Sequence, residues 1–258
     1  MKFKGGFEHF DAFYQNIYES RWTSLKNSLL SEPHPIAFTD GLLKPYFMDE
    51  ASIIAASLLP VKPGDTVLDM CAAPGGKTLV LASRMKQKGL LVSNDRSSQR
   101  RARLRKVIGD HIGTQAETFI TVTSHDATKW GLYEKNVYDA ILLDAPCSSE
   151  RHVITSAGAL AQWTPSRSKH LAIQQFAMLA AALDAVKIGG IIVYSTCSIS
   201  SLENELIISK LHERRPNIFE ELEIANIYAE RLTHGSIILP DTAEGRGPLY
   251  FCVIRKTA

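Results

Sequence analysis

Short apolar runs alternate with longer helical patterns along most of the chain. The strand candidates are the apolar runs at 66–70, 90–95, 117–126, 138–144 and 189–197. Apolar residues at helical spacing separate several of these runs, at 73–85, 97–108 and 165–186. Such alternation is typical of an α/β protein with a mostly parallel, doubly wound sheet and helices on both of its faces.

The last part of the chain breaks this alternation. The run SIILP at 236–240 and the run PLYFCVIRK at 248–256 are separated by the turn-forming segment DTAEGRG. Two strands joined this closely pair as a hairpin, so we expect a C-terminal antiparallel hairpin strand to close the sheet.

The first part of the chain carries an apolar stripe at helical spacing, which consists of Phe3, Phe7, Phe10, Tyr14, Tyr18 and Leu25. A stacking platform for bases would use such residues, but an apolar stripe on a helix is usually a core face, and we favour packing. We therefore predict a short N-terminal helical segment over residues 1–48, with contact to a nucleic acid as a second role, and one main domain over residues 49–258.

Composition narrows the class of protein. The 258 residues carry a formal net charge of only +2, so any nucleic-acid surface must be a local patch. The sequence shows no signal peptide and no run that is long and apolar enough to span a membrane, which predicts a cytoplasmic protein without a membrane partner. The four cysteines match no zinc-binding spacing, so we expect reduced thiols and no metal site.

Acids and cysteines follow five of the predicted strands at the point where each strand ends. They are Asp69, Asp95, Asp126, Asp144 with Cys147, and Cys197. A single acid in such a place is also typical of a helix cap, but five successive strands that end this way are hard to explain as caps. Ligands of doubly wound sheets bind at the carboxyl ends of the strands, where the strand order reverses.

The segment CAAPGGK at 71–77 predicts a site for a nucleoside cofactor. Its glycines open a helix whose N–H groups and positive dipole end face an anion, and Asp95, about twenty residues later, suits a ribose diol. The spacing G-x-G-x-x-G of dinucleotide sites is absent. A P-loop NTPase is a weak alternative, because Cys71 stands where its phosphate loop needs the first glycine.

Cys147 and Cys197 indicate covalent chemistry on a pyrimidine. Carbon C5 of cytosine is a poor nucleophile, and a thiolate that adds at C6 activates it. Asp144 beside Cys147 can hydrogen-bond the cytosine edge and stabilise the charge that develops. The alternative for each cysteine is a buried thiol that only fills space, and we expect this of the Cys71 and Cys252 side chains.

The motifs DMCAAPGGKT, DAPCSS and YSTCS together resemble the Nol/Nop/Sun (RsmB/Nop-type) family of RNA cytosine-5 methyltransferases, which use S-adenosylmethionine. MDEAS, WTPSR, VKIGG and PLYFCVIRK extend the similarity from about residue 46 to the end of the chain. The resemblance implies a Rossmann-like class I methyltransferase fold. It also implies methyl transfer from S-adenosylmethionine to C5 of a cytosine in RNA, with ribosomal RNA favoured and tRNA as the alternative.

The resemblance further implies roles for individual residues. Cys197 would be the nucleophile that forms the adduct at C6, Cys147 would assist product release, and Asp144 would lie at the reacting centre. The implied cofactor contacts are Cys71, Ala72, Ala73, Pro74, Gly75, Gly76, Lys77, Asp95, Arg100, Asp126 and Asp144.

Recognition of the RNA is less well defined by the sequence. The basic run on the predicted helix is Arg96, Arg100, Arg101, Arg103, Arg105 and Lys106, and it indicates a phosphate-contacting patch or a solvated face about equally. Arg151 and His152 follow Cys147 and have no assigned role. Met48 departs from the family, which often has Gln there, and no appended RNA-binding domain is visible. Either the N-terminal segment and the basic helix bind the RNA or a separate RNA-binding partner protein does; we expect a monomer.

Overall fold

The computed structural model describes residues 6–258, and Phe3 of the predicted stripe lies outside the described residues. The helices are α1 Phe7–Tyr18, α2 Trp22–Leu30, α3 Glu50–Ser57, α4 Gly76–Arg84, α5 Ser98–His111, α6 Glu150–Thr155, α7 Ala157–Ala161, α8 Ser166–Ala185 and α9 Glu205–Arg214. The strands are β1 Ile36–Phe38, β2 Tyr46–Met48, β3 Thr66–Asp69, β4 Leu90–Asn94, β5 Ile120–Thr123, β6 Tyr138–Asp144, β7 Val186–Thr196, β8 Phe219–Leu222, β9 Ala229–Arg231, β10 Ser236–Ile238 and β11 Leu249–Lys256.

One large sheet runs through the protein in the order β5-β4-β3-β6-β7-β11-β10-β9, and β8 pairs with β11 beside β10. Strands β3 to β7 are parallel to one another. Strand β11 enters antiparallel to β7 and forms a hairpin with β10. The mostly parallel sheet and the C-terminal antiparallel hairpin that the sequence predicted are both confirmed.

Helices cover both faces of the sheet, and successive residues of β7 show it. Ile192 and Tyr194 belong to the buried cluster under α8 and α9, whereas Ile191 and Val193 belong to the cluster under α4 and α5. Because side chains alternate across a strand, a strand that is covered on both faces must be apolar at nearly every position. This is why β6 and β7 read as continuous apolar runs.

The N-terminal helices pack into the core of the main domain. Phe10, Tyr14, Trp22 and Leu25 are fully buried in the same cluster as β6 and β7, and the ring of Phe10 lies 5.0 Å edge-on from that of Trp163. Each large apolar side chain buried in this way contributes about 1.5–3 kcal/mol. The predicted packing is confirmed for Phe10, Tyr14 and Leu25 of the stripe, whereas Phe7 is 47% exposed. A contact of this segment with RNA and a domain boundary at residue 48 stay predictions.

Several elements were not predicted from the sequence. The segment between α2 and α3 contains a small antiparallel hairpin of β1 and β2, and the segment after β6 contains two short helices, α6 and α7. Strands β8 and β9 were not predicted either, nor was helix α9, although its buried residues Ile207, Ile208 and Leu211 follow a helical spacing. Short elements of this kind carry too few residues for a periodic pattern, so tertiary contacts decide them.

The strand order reverses between β3 and β6, because the chain moves from β3 to β4 and β5 on one side and returns to β6 and β7 on the other. All five predicted strand ends therefore lie on one edge of the sheet, with the loops after β3 and β6 on either side of the crevice. Within residues 6–258, no helix combines the length and the apolar character that crossing a membrane requires.

Candidate active site

The two central cysteines meet because β6 and β7 are parallel neighbours. Asp144 lies opposite Ser195 in the register, so the segments that follow the two strands leave the sheet side by side. The Sγ atoms of Cys147 and Cys197 are 3.1 Å apart, and the hydroxyl of Ser149 lies 3.4 Å from the first and 3.2 Å from the second. Ser149 has a left-handed backbone, with φ of 56°, a conformation that non-glycine residues adopt mainly where the surroundings enforce it.

The two thiols differ in their affinity for a proton. The hydrogen bond from Cys147 lowers the pKa of Cys197 below its usual value of 9.0, against the opposing effect of burial, and the Ser149 hydroxyl acts in the same direction. The same sulfur contact, together with burial, raises the pKa of Cys147 well above 9.0. Cys197 is exposed and Cys147 is half-buried. Cys197 is therefore the thiol that loses its proton more readily and that an incoming molecule reaches.

Cys197 opens into a cavity of about 420 Å³. Asp144, Lys77 and Ser149 line the same cavity, and so do Arg151, Asp49, His152 and residues 247–249 of the C-terminal hairpin loop. A space of this size holds one nucleobase with its sugar, and the charged groups at its wall suit the polar edge of a base.

Asp144 is held from two sides. Lys77 Nζ donates to Asp144 Oδ2 at 2.8 Å and to Ser52 Oγ at 3.3 Å, and Ser195 Oγ donates to Asp144 Oδ1 at 2.9 Å. Burial disfavours the charge on Lys77, but the Asp144 carboxylate outweighs it and the pKa of Lys77 is raised. Lys77, which the resemblance placed among the cofactor contacts, is therefore paired with Asp144, and it lies between two cavities that it lines together with that acid.

The loop after β3 forms the wall of the second cavity, of about 100 Å³, which is lined by Cys71, Ala72, Ala73, Pro74, Gly76 and Lys77 among others. Gly75 is different, because it packs against α5. Its φ is +124°, and an added Cβ would lie 3.0 Å from Val107 Cγ1. Only glycine combines this backbone conformation with so close an approach of the two helices.

Asp69 lines the same cavity with an acceptor that is not used inside the protein. Its Oδ2 accepts a hydrogen bond from Thr78 Oγ1 at 2.6 Å, while Oδ1 is buried without a partner among the described residues. Burial raises the pKa of Asp69 to about 7. A buried acceptor without a partner is costly, so this position suits a ligand that brings a donor such as an ammonium group.

A third cavity, of about 610 Å³, lies at the ends of β4 and β5 and is lined by Cys71, Asp95, Arg100 and Asp126. Asp95 Oδ1 accepts from the backbone N–H of Ser97 at 2.8 Å, and Asp95 Oδ2 lies 3.3 Å from Arg100 Nε. Arg100 Nη2 also donates to the Ala73 carbonyl at 2.6 Å, so the guanidinium fastens the loop after β3 to the end of β4.

Asp126 caps a short turn at the end of β5 through Thr128 N, at 3.1 Å, and also lines the third cavity. The structure thus brings the predicted cofactor residues of three strand ends around joined spaces. Asn94, which the sequence analysis did not single out, holds these ends together: its Nδ2 donates to the Met70 carbonyl at 3.1 Å and its Oδ1 accepts from His125 N at 2.7 Å. In the sequence, the only signal for Asn94 was a polar residue at the end of a predicted strand, directly before Asp95.

Two buried glutamates behind the cysteines were also missed. Glu150 accepts hydrogen bonds from Ser148 Oγ, from Tyr14 OH at 2.7 Å and from Ile199 N at 3.0 Å. It therefore connects the segment of Cys147 with the segment of Cys197 and with helix α1. Burial raises the pKa of Glu150.

Glu203 makes the second connection. It accepts from Ser148 N at 3.0 Å, from Gln175 Nε2 at 2.9 Å and from Ser198 Oγ at 3.2 Å. Charged residues are usually exposed, so nothing in the sequence around Glu150 or Glu203 indicated that they are buried.

A mostly parallel sheet with a nucleoside-sized cavity at its switch point, beside a pair of thiols, defines a class I methyltransferase fold of the Rossmann-like type. The family described as 16S rRNA methyltransferase RsmB/F matches residues 56–252, and the chain belongs to this family.

Individual relatives agree with the family. The chain is 36% identical to the 5-cytosine rRNA methyltransferase NSUN4 of Bos taurus over 236 residues, which cover 82% of this chain and 59% of that protein. It is 35% identical to ribosomal RNA small subunit methyltransferase F of Shewanella piezotolerans over 188 residues, 71% of this chain and 39% of that protein. The chain thus spans about three fifths or less of the length of these relatives.

Solved structures show the same fold. A methyltransferase homolog protein from Pyrococcus horikoshii superposes with a TM-score of 0.77 at 23% identity, over 96% of this chain and 94% of that one. NSun6 from the same organism, solved with SFG, gives a TM-score of 0.72 at 26% identity, over 86% of this chain and 55% of that one.

Proposed function

We propose that this chain transfers a methyl group from S-adenosylmethionine to C5 of a cytosine in RNA, with ribosomal RNA as the favoured substrate. The observation that carries the proposal is the contact between Cys147 and Cys197 beside Asp144, where one thiol is acidified and exposed. The names of relatives such as NSUN4 and methyltransferase F support ribosomal RNA.

The cavities around the loop after β3 fit S-adenosylmethionine. Asp69 Oδ1 offers a free buried acceptor for an ammonium group, and the backbone of Cys71–Lys77 surrounds the same space. Asp95 suits the ribose diol, and Arg100 holds the Asp95 carboxylate in place. Asp126 lines the same third cavity at the end of β5, where the adenine would lie. When bound, this cofactor supplies an electrophilic methyl group.

The residues at the base pocket then have separate tasks. The Cys197 thiolate adds to C6 of the cytosine, which makes C5 nucleophilic. Asp144, oriented by Lys77 and Ser195, hydrogen-bonds the polar edge of the base and stabilises the developing charge.

Product release begins when the C5 proton passes to a base such as solvent water. The electron pair of the broken C–H bond then restores the C5–C6 double bond, and the bond between Cys197 and C6 breaks. The leaving sulfur regains its negative charge at this step. Cys147 holds its proton more tightly because its pKa is raised, and its Sγ lies 3.1 Å from Cys197 Sγ. It can therefore stabilise the departing thiolate by a hydrogen bond.

The experiment compares adducts formed by Cys197→Ala and Cys147→Ala with RNA and radioactive S-adenosylmethionine on denaturing gels. A labelled protein–RNA adduct should accumulate with Cys147→Ala and be absent with Cys197→Ala. The control, Cys252→Ala, should behave like the unmodified chain, because this cysteine lies on β11 away from the pocket. The reverse pattern would exchange the two roles, and full activity of both variants would exclude covalent catalysis.

tRNA is the second candidate substrate. The mitochondrial tRNA (cytosine(34)-C(5))-methyltransferase of Danio rerio is 32% identical over 84% of this chain. Bisulfite sequencing of ribosomal RNA and tRNA from a strain that lacks the gene separates the two, because the methylated cytosine disappears from only one of them.

The remaining expectations have less direct support. The P-loop NTPase alternative has little support, because Lys77 is paired with Asp144 and Cys71 stands where the phosphate loop requires a glycine. A cytoplasmic location, a monomeric state and a separate RNA-binding partner stay predictions.

A further inference from the structure

Three potential metal ligands converge at the edge of the sheet, away from the cysteines. His212 lies in the last turn of α9, Glu221 on β8 and His234 in the loop before β10. His212 Nε2 is 2.8 Å and His234 Nδ1 is 2.7 Å from the same carboxylate oxygen, Glu221 Oε1. All three ligand atoms lie within 4.8 Å of one another.

The sheet itself brings these residues together. Strands β8 and β10 pair with different halves of the same edge of β11, with Glu221 opposite Ile254 and Ser236 opposite Phe251. His234 is carried over β11 by Gly235, whose φ is +68° and whose added Cβ would lie 2.4 Å from the Phe251 carbonyl. Only glycine combines this backbone conformation with so close an approach of the loop to β11.

The ring of His212 is held in place by its neighbours. It packs on Phe219, with ring centroids 4.5 Å apart, and lies 5.2 Å from the ring of His234. Below the carboxylate, Cys252 Sγ is 3.5 Å from Glu221 Oε2. Two oriented imidazoles and a carboxylate, from α9, β8 and the loop before β10, thus surround one point, and the Cys252 thiol contacts the other oxygen of that carboxylate.

We propose that His212, Glu221 and His234 bind a divalent transition-metal ion of the Zn²⁺ type, with water or the Cys252 thiolate as the fourth ligand. Two imidazole nitrogens and one carboxylate oxygen are a ligand set that zinc prefers, whereas Mg²⁺ and Ca²⁺ prefer oxygen alone. The side chain of His212 is 42% exposed, so an ion has a path from solvent.

Binding requires only small rearrangements. Donor atoms of a tetrahedral zinc site are roughly 3.3 Å apart, so the present contacts must each open by about half an ångström. Each neutral imidazole moves its ring proton to its other nitrogen and presents a lone pair to the ion. If Cys252 becomes the fourth ligand, its thiol releases one proton to solvent.

The ion would join the C-terminal end of α9 to strands β8 and β10. Helix α9 begins directly after Asn204, whose Nδ2 donates to the Ser198 carbonyl beside Cys197 at 2.9 Å. The site would thus stabilise the element that follows the nucleophile segment, without contact to the reacting atoms. It does not rest on the proposed methyl transfer.

The test is a titration with zinc chloride alone, by calorimetry, of the full-length chain after treatment with a chelator. Because the Cys147 and Cys197 thiols can also bind zinc, both are replaced by Ala in every sample. We expect one ion per chain in this background and with the control His170→Gln, which changes an exposed histidine of α8. Replacing His212 and His234 together by Gln should weaken the affinity by more than about 100-fold.

Two further measurements guard against misfolding of that variant. Zinc chloride should raise the melting temperature of the background chain, magnesium chloride should not, and Glu221→Gln should abolish the rise. Each variant is first melted without metal to show that it is folded. No saturable uptake by the background chain, or equal zinc affinity with and without the two histidines, would overturn the proposal and leave a hydrogen-bonded triad. A thiolate-to-cobalt absorption band with Co²⁺, lost in Cys252→Ala, would identify the fourth ligand.

Discussion

Cys147 and Cys197 are chemically identical groups that their contacts make different. They share one short S–H hydrogen bond, and Ser149 supplies a second donor to Cys197. A hydrogen-bond donor to the charged form of a group lowers the pKa of that group. The pKa of the partner that keeps its proton is raised in turn. The assignment of nucleophile and releasing thiol thus depends on contacts of about 3 Å, which amount to single hydrogen bonds.

Replacing Ser149 by Ala should raise the pKa of Cys197, since the thiolate loses a donor. The loss of about 1 kcal/mol corresponds to about a fivefold slower alkylation of Cys197 by iodoacetamide at neutral pH, with the rate recovering as the pH rises. Mass spectrometry of the Cys197 peptide across a pH series measures this. The control Ser201→Ala changes an exposed serine and should leave the profile unchanged; an unshifted profile in Ser149→Ala would contradict the role of the hydroxyl.

Among the secondary-structure elements, helix α1 is bound directly to the segments that follow Cys147 and Cys197. Tyr14 OH donates to Glu150 at 2.7 Å, and Tyr18 OH donates to the Ile199 carbonyl at 2.7 Å. The N-terminal helices therefore act as part of the support of the thiol pair, in addition to any contact with RNA. A buried carboxylate needs all of its donors, because each missing one leaves charge unsatisfied.

Tyr14→Phe should consequently lower the free energy of unfolding by about 1–3 kcal/mol, because Glu150 stays buried with one donor fewer. Urea denaturation followed by circular dichroism gives the value. Tyr133→Phe removes a hydroxyl from a side chain that is 82% exposed and serves as the control. Equal stability of the two variants would mean that the bond to Glu150 has no net effect.

Helix α5 carries the basic run, and its arginines are not equivalent. Arg101 Nη1 donates to the Asp95 carbonyl at 2.8 Å, which makes it part of the support of that acid, whereas Arg103 and Arg105 are exposed. If the run is a phosphate-contacting patch, the free arginines are the ones that bind RNA.

Replacing Arg103 and Arg105 together by Gln should weaken RNA binding and flatten its salt dependence by about one log–log unit for each lost phosphate contact. Filter binding at several salt concentrations measures the slope, and cofactor affinity should not change. Lys86→Gln with Lys88→Gln is a matched control, because both lie before β4 at the opposite edge of the sheet. If the salt dependence of RNA binding does not change, the basic run is a solvated face of the helix and does not contact phosphates.

At the scale of the whole molecule, the sheet positions the site by its strand order. The reversal between β3 and β6 creates the crevice, and the parallel direction of β3 to β7 places every strand end at it. This arrangement has a cost in stability, since the buried Oδ1 of Asp69 has no hydrogen-bond partner within residues 6–258.

The stability of the chain without cofactor should reflect that acid. The pKa of Asp69 is about 7 in the folded state against 3.8 ordinarily, so the folded chain keeps a proton that the unfolded chain has lost in between. Its contribution to stability therefore decreases as the pH rises through this window, from about 4 to about 7. Asp69→Asn removes this pH dependence. In urea denaturation, the free energy of unfolding of the variant should therefore increase relative to that of the unmodified chain as the pH rises. The control is Asp40→Asn at an exposed position, for which the difference in free energy of unfolding from the unmodified chain should not change with pH. The same constant difference for Asp69→Asn would contradict the prediction.

The sequence by itself determined the strands and main helices of the sheet, and the residues at the strand ends. Apolar runs such as 138–144 and the helical pattern at 165–186 depend on neighbours a few residues away, so the local order of residues is sufficient to predict them. Cys147, Cys197 and Asp95 could be singled out because they are reactive or charged residues at or just after the ends of such apolar runs.

Only the tertiary structure decided which of these residues touch. The register of β6 against β7 sets the 3.1 Å between the two sulfurs, and hence which one is acidified. The burial of Glu150 beneath helix α1, and the meeting of His212 with Glu221 across β11, likewise join parts of the chain that are distant in sequence. No local period encodes such pairings, because they depend on how whole strands and helices pack, and it is this packing that sets the charge and proton affinity of each group.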